Sequence, residues 1–157
     1  MFLSCSQSTM HNRRETTKEL TRGVCRLFEN LGFATLKEFK LPNRRRVDVI
    51  AMNPNGNFSI IEVKSSVGDY KTDNKWLEYL PYCQRFYFAV PYNFPTKIIP
   101  RECGIIVADA FEATIRKESF HSKINSTRHR HQLIRFGYVA GSRINQNDLA
   151  SIKSYTY

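Results

Sequence analysis

The sequence has no Cys-x-x-Cys pair and no long apolar run, and these absences exclude several classes of protein. Its four cysteines are widely separated, which argues against a zinc knuckle and against a disulfide framework. No stretch approaches the roughly 20 apolar residues of a membrane helix, and residues 1–12 lack the pattern of a secretory signal. With 41% hydrophobic and 13% aromatic residues, the composition is that of a folded protein. We expect a cytoplasmic protein with no membrane partner.

Acidic residues are also scarce in this chain of 157 residues. There are 14 of them against 24 lysines and arginines, so the formal net charge is +10. A positive excess of this size draws a protein to polyanions and speeds its encounter with phosphate backbones. Nucleic acid is therefore the expected partner, although charge alone does not locate a binding site.

The residue pattern predicts one α/β domain over residues 16–140, with a flexible leader at 1–15 and a polar tail at 141–157. A capping-box pattern, Thr-Thr-Lys-Glu at 16–19, predicts the start of the first helix. Apolar periodicity and turn-forming residues then predict the order α, β, β, β, α, β, β, α and leave open a short edge strand at 112–116. We therefore expect a mixed sheet flanked by helices, ending in a helix over residues 128–139.

The most informative segment is a predicted β-hairpin around the turn-forming run 53–57. If the hairpin is centred on Asn55, Asp48 lies opposite Glu62, because each is seven residues from that centre. Lys64 follows Glu62 by two residues, so its side chain projects from the same face of the strand. The competing interpretation is that these are exposed strand residues that never meet.

Two carboxylates on one face predict a divalent-cation site. Opposed like charges repel, and apolar neighbours limit the water that screens them. A hard cation such as Mg²⁺ offsets this repulsion, since it accepts carboxylate oxygens together with water and phosphate. Lys64 would orient or deprotonate the attacking water, or stabilise the charge on phosphorus. The predicted reaction is phosphodiester hydrolysis.

Asp48 followed by Glu62-Val63-Lys64 between apolar strands resembles the PD-(D/E)xK nuclease motif. This resemblance implies a restriction-endonuclease-like core. It also implies that Asp48, Glu62 and the backbone carbonyl of Val63 bind Mg²⁺ or Mn²⁺ and that Lys64 is catalytic. Glu19 on the first helix is a further candidate ligand, although the capping box gives it a competing structural role.

The wider sequence around this motif is similar to the bacterial MmcB-type DNA repair proteins over about residues 20–116. The similarity depends on Lys-Trp at 75–76, Tyr-Cys at 82–83 and the apolar strands at 86–90 and 104–108. It implies a role in DNA repair. By contrast, Asp69 and Asp73 are interpreted as caps near the start of the second helix rather than as metal ligands.

Basic and aromatic side chains near the motif and in the last helix are candidates for DNA contacts. Lysine and arginine bind phosphate, and tyrosine can stack or donate a hydrogen bond. The alternative is a solvated basic surface with no ligand. The candidates are Arg44, Arg45, Arg46, Lys75, Tyr79, Arg128 and Arg130.

The leading hypothesis from the sequence is a DNA repair nuclease that depends on Mg²⁺ or Mn²⁺. The alternative is a DNA-binding adaptor of the same fold that no longer cleaves and that assists other repair proteins. A nuclease that processes RNA would use the same site, and the sequence contains no recognisable RNA-binding motif. A homo-oligomer is left open.

Overall fold

Within the residues that the computed structural model of this chain describes, six strands form one mixed sheet in the order β1-β2-β3-β4-β5-β6. The backbone is described for residues 4–154 and the side chains for residues 12–147. The pairs β3–β4 and β4–β5 are parallel, and the other pairs are antiparallel. The strands are β1 (Ala34–Lys40), β2 (Arg46–Met52), β3 (Phe58–Val63), β4 (Arg85–Val90), β5 (Gly104–Ala108) and β6 (Ala113–Lys117).

Residues 4–154 also form three α-helices: α1 (Ser4–Asn30), α2 (Val67–Thr72) and α3 (Ser126–Ser154). Short 3-10 helices cover Lys75–Glu78, Leu80–Tyr82 and Thr96–Ile98. The predicted mixed sheet with flanking helices is confirmed, and β6 is an edge strand that the predicted order left open. Assignment to a restriction-endonuclease-like core stays a prediction. No helix within residues 4–154 is long and apolar enough to cross a membrane.

One face of the sheet packs against α1. Leu20, Val24 and Phe28 are buried on this helix at the spacing of one helical face, and they join a core with Val49 and Ile61. Each such side chain stabilises the fold by about 1.5–3 kcal/mol relative to an exposed one. Strand residues alternate between faces, so the odd-numbered residues of β2 and β3 point towards α1 and the even-numbered ones point away.

The opposite face is covered by the segment between β3 and β4. Trp76 lies 5.7 Å from Phe86 and 5.7 Å from Phe88, measured between ring centroids. Tyr70 of α2 packs edge-on against Phe88 at 5.2 Å. All six residues of β3 are buried, as expected for a central strand with both faces covered.

The predicted start of the first helix is wrong. α1 begins at Ser4, so residues 16–19 lie inside the helix and do not cap its start. The Oγ1 atoms of Thr16 and Thr17 instead donate hydrogen bonds to the carbonyl oxygens of Asn12 and Arg13. Residues 4–15 are polar in sequence and carry no apolar period, so periodicity could not reveal these first helical turns. α1 ends at Asn30, and Gly32 just beyond it has the left-handed φ of +82° that is typical of a helix C-terminus.

The last helix also differs from expectation. α3 extends to Ser154, so most of the predicted polar tail is helical. Asn125 marks its start, because its Oδ1 accepts the backbone N–H groups of Thr127 and Arg128. Ile134 on this helix is 62% exposed. The chain divides into two compact units, one up to Lys123 and one from Ile124 onwards.

Candidate metal and nucleic-acid site

The predicted hairpin register places Asp48 beside Glu62. Val49 pairs with Ile61 and Ile50 with Ile60, which is the register of a hairpin centred on Asn55. The same register, extended by one residue, places Asp48 opposite Glu62 on the face of the sheet away from α1. The turn itself is tightened by Asn53, whose Oδ1 accepts the backbone N–H groups of residues 55 and 57.

Each carboxylate accepts a hydrogen bond from the facing strand. The backbone N–H of Val63 donates to Oδ2 of Asp48 at 2.8 Å, and the backbone N–H of Asp48 donates to Oε1 of Glu62 at 3.3 Å. These bonds fix the orientation of both carboxyl groups. The two acidic side chains are therefore held together at the end of the β2–β3 ladder.

Burial makes this pair electrostatically costly. Glu62 is 4% exposed, and burial together with the neighbouring charge of Asp48 raises the pKa of Glu62 to about 8. Burial also raises the pKa of Asp48, although the N–H of Val63 and the charge of Lys64 oppose that change. Without a cation, ionising both carboxyl groups at neutral pH would destabilise the fold.

Lys64 lies within the same cluster and is held by two carboxylates. Its side chain is 6% exposed, and Nζ lies 2.5 Å from Oδ2 of Asp73 and 3.4 Å from Oε2 of Glu62. Burial alone would lower the pKa of Lys64, but the hydrogen bond to Asp73 and the charge of Glu62 raise it overall. The side chain is thus a fixed, protonated ammonium.

Asp73 is the site residue that the sequence interpretation missed. It was expected to cap the start of a helix, but α2 ends at Thr72 and Asp73 is its C-cap. Its Oδ1 accepts the backbone N–H of Lys75 at 2.9 Å. Burial opposes ionisation of Asp73, yet the hydrogen bond from Lys64 lowers its pKa. Asp69 does lie in the first turn of α2, as expected.

The donor set fits a hard divalent cation. Asp48 and Glu62 provide carboxylate oxygens, and the chain continues from Glu62 to the carbonyl of Val63, so the three predicted ligands are close together. Glu19 does not join them, because α1 packs against the other face of the sheet. Among the described residues, no group of three or more His, Cys, Asp and Glu side chains could hold a metal ion. Water and substrate oxygens would complete the shell.

A basic cleft of about 500 Å³ brings together five of the predicted DNA contacts. It is lined by Lys40, Arg44, Arg45, Arg46, Lys75 and Tyr79. Lys40 was not predicted, and it follows from the pairing of Lys40 with Arg46 across β1 and β2. Five cationic side chains in one concave surface form an electrostatic site for phosphate.

Individual side chains of this cleft are oriented by acidic partners. Nε and Nη2 of Arg45 each lie 2.7 Å from a carboxylate oxygen of Glu78, and Nε of Arg46 lies 2.6 Å from Glu38. Lys75 is exposed.

Tyr79 links the cleft to the acidic pair. The side chain is 3% exposed and lines the cleft. Burial and then the charge of Glu62 raise its pKa, with smaller effects from Asp73 and Asp48. The phenol is therefore within electrostatic reach of the carboxylates. The other two predicted contacts, Arg128 and Arg130, are exposed on α3 in the second unit.

The chain is similar to known proteins both in sequence and in structure. A family model described as DNA repair protein MmcB-like matches residues 6–151, which include the whole acidic cluster. The chain is also similar to a solved structure described as the SPO1766 protein of unknown function from Silicibacter pomeroyi. The two share 35% sequence identity and a TM-score of 0.78, over 82% of this chain and 88% of that chain. No curated protein matches the chain.

Proposed function

The chain belongs to the MmcB-like DNA repair protein family, and on that premise we propose that it is a DNA nuclease that depends on Mg²⁺ or Mn²⁺. One observation carries the proposal: the buried pair Asp48 and Glu62 lies beside the ammonium of Lys64. Burying two like charges destabilises a fold unless a ligand offsets them. A cation that also binds phosphate would do so.

In this proposal Asp48, Glu62 and the carbonyl of Val63 hold the cation. When bound, Mg²⁺ or Mn²⁺ would lower the pKa of a coordinated water and offset the charge that develops on the phosphate. The pKa of Glu62 is raised to about 8, so in the metal-free protein this carboxyl group is protonated at neutral pH. Cation binding near neutral pH is therefore coupled to release of that proton.

Lys64 acts as a fixed positive charge. The hydrogen bond to ionised Asp73 keeps it protonated, which favours a role in binding and stabilising a phosphate oxygen over a role as general base. Asp73 is proposed as a positioning residue, because its Oδ2 accepts a hydrogen bond from Nζ of Lys64. Of the roles predicted for Lys64 from the sequence, we therefore favour stabilisation of charge on the phosphate.

The basic cleft would bind the DNA backbone next to the cation. Arg46 and Asp48 are two residues apart on β2, so both lie on one face of the strand. A phosphate held by Arg44, Arg46 or Lys75 would place the adjoining phosphodiester close to the carboxylates. Arg128 and Arg130 are proposed as further phosphate contacts from α3.

The test is cleavage of DNA by the purified full chain. Labelled single strands, duplexes, flaps and branched DNA are incubated with Mg²⁺ or Mn²⁺, alongside Glu62→Gln, Lys64→Gln and the matched control Glu112→Gln, which changes an exposed carboxylate outside the site. We expect cleavage by the wild type and the control and a loss of at least about 100-fold in the two site variants.

Three outcomes would contradict the proposal. Equal cleavage by the wild type and Glu62→Gln would assign the activity to a contaminant or another site. Cation binding without cleavage of any substrate would favour the non-cleaving adaptor. Preferential cleavage of an RNA of the same sequence would favour an RNA-processing nuclease.

A further inference from the structure

A second groove lies on the same face of the sheet as the acidic pair. Its volume is about 530 Å³, within the range of sites for small ligands. Glu62 pairs with Phe88, and Phe88 pairs with Ile105, across β3, β4 and β5. Paired residues point to the same face of a sheet, and Ile105 forms part of the groove floor. The groove is therefore about two strand spacings, or about 10 Å, from Glu62.

The groove has an apolar floor and one aromatic wall. Ile105, Val107 and Phe94 contribute to the floor, and Tyr92 forms the wall. Tyr92 follows β4, the strand next to Glu62, and its side chain is 79% exposed. An aromatic ring that stands in solvent beside an apolar floor offers a flat surface for another ring.

Cationic side chains complete the groove. The guanidinium carbon of Arg116 lies 5.6 Å from the centroid of the Tyr92 ring, in the range of a cation–π contact. Lys117 also lines the groove, and its Nζ donates hydrogen bonds to the carbonyl oxygens of Pro100 and Arg101. Among residues 12–147, no acidic side chain lines this groove. An anion joined to a flat ring matches this combination of surfaces.

Tyr92 and Arg116 also line a second, smaller hollow of about 130 Å³. Unlike the groove, this hollow has acidic residues in its lining, namely Asp109 and Glu112. Asp109 is engaged in the β5–β6 turn, where its Oδ1 accepts two backbone N–H groups. These carboxylates repel phosphate, so the charges favour the larger groove for a polyanion.

We propose that this groove binds an unpaired nucleotide of the DNA strand whose backbone enters the catalytic site, with the base stacked on Tyr92 and the phosphate held by Arg116. The inference rests on the proposed function and adds the class of substrate, namely DNA with a single-stranded segment. In the interior of a duplex both faces of each base are stacked on neighbours, so within a strand an unpaired base is the one that can lie on Tyr92. Stacking on an aromatic side chain is tolerant of base identity, and no base-specific readout is required.

Binding is measured without metal, so that it does not depend on cleavage. Fluorescence anisotropy in EDTA gives the Kd of the full chain for a labelled oligo(dT) strand, for the same strand as RNA, and for a duplex. The variants are Tyr92→Ala, Tyr92→Phe and Arg116→Gln. The controls are Phe120→Ala, which removes an aromatic ring under Arg101 outside the groove, and Lys18→Gln, which removes one positive charge from α1.

We expect Tyr92→Ala to weaken binding of the single strand by about tenfold or more, the effect of losing one stacked base, with duplex binding unchanged. Tyr92→Phe should bind like the wild type because it keeps the ring. Arg116→Gln should weaken single-strand binding more than Lys18→Gln does. An oligonucleotide with 5-iodouracil should crosslink to Tyr92 on irradiation.

Several results would overturn the inference while leaving the nuclease proposal standing. These are unchanged single-strand affinity in Tyr92→Ala, an equal loss for single strand and duplex, tighter binding of the RNA strand, or crosslinks only outside the groove. Conversely, if the wild type cleaves nothing but shows the predicted Tyr92 dependence, the nuclease proposal fails and the nucleotide site stands.

Discussion

Replacing Glu62 with glutamine should make the metal-free protein more stable at pH 8. Glutamine keeps the size of the side chain and the acceptor for the N–H of Asp48, while Lys64 retains its hydrogen bond to Asp73. What the variant removes is the ionised form of a buried carboxyl. The gain is therefore set by how far the fold raises the pKa of that group.

The size and the sign of the gain follow from linkage. The folded state raises the pKa of Glu62 from 4.5 to about 8, and each pKa unit corresponds to about 1.4 kcal/mol. Between these two values the folded protein keeps a proton that the unfolded chain has released, so the free energy of unfolding falls as pH rises. At pH 8 and above the accumulated loss reaches roughly 5 kcal/mol as an upper limit, and Glu62→Gln should recover most of it.

The assay is urea unfolding in EDTA at several pH values between 4.5 and 8.5. Trp76 is the single tryptophan and packs on Phe86 and Phe88, so its fluorescence reports unfolding of this face. The difference between Glu62→Gln and the wild type should be near zero at pH 4.5 and should grow with pH. The exposed control Glu112→Gln should stay within about 0.5 kcal/mol of the wild type throughout. Parallel pH profiles for Glu62→Gln and the wild type would show that the fold does not raise the pKa of Glu62.

Three further predictions concern the cation, the lysine and the fold. The affinity for Mn²⁺ should increase as pH rises from 6 to 8, because binding displaces a proton from Glu62; calorimetry in buffers of different ionisation enthalpy should detect that proton. Asp73→Asn should lower the pKa of Lys64 and destabilise the protein by about 1–3 kcal/mol, which NMR titration of Nζ and urea unfolding would measure. Gly104→Ala should destabilise the protein by at least about 1–3 kcal/mol, because the added Cβ would overlap the ring of Tyr87. A pH-independent Mn²⁺ affinity, an unchanged Lys64 titration or a fully stable Gly104→Ala would each contradict the corresponding argument.

The acidic pair could be predicted because its determinants are local. A dense turn between two strands sets the hairpin register, and the two-residue period of a strand then places Asp48, Glu62 and Lys64 on one face. Neither step needs knowledge of distant contacts. The mixed sheet follows in the same way from short apolar strands separated by turn-forming residues.

Asp73 could not be predicted because its role depends on where α2 ends. The apolar and aromatic residues after Asp69 are compatible with one continuous helix, but the chain leaves the α-helix at Thr72 and continues as two 3-10 helices. That change turns Asp73 towards Lys64, a contact set by the packing of Trp76 and Tyr79 on β4. The early start of α1 was hidden for a different reason, since its first turns lack an apolar face.

The most direct test of the account is a crystal structure of the protein with Mn²⁺, using anomalous scattering to locate the ion. We predict one strong peak between the carboxylates of Asp48 and Glu62, within coordination distance of the carbonyl oxygen of Val63, and no such peak in Glu62→Gln. Wild-type crystals that hold no Mn²⁺ between these residues at millimolar concentration, or that bind it elsewhere, would show that this acidic pair is not a cation site.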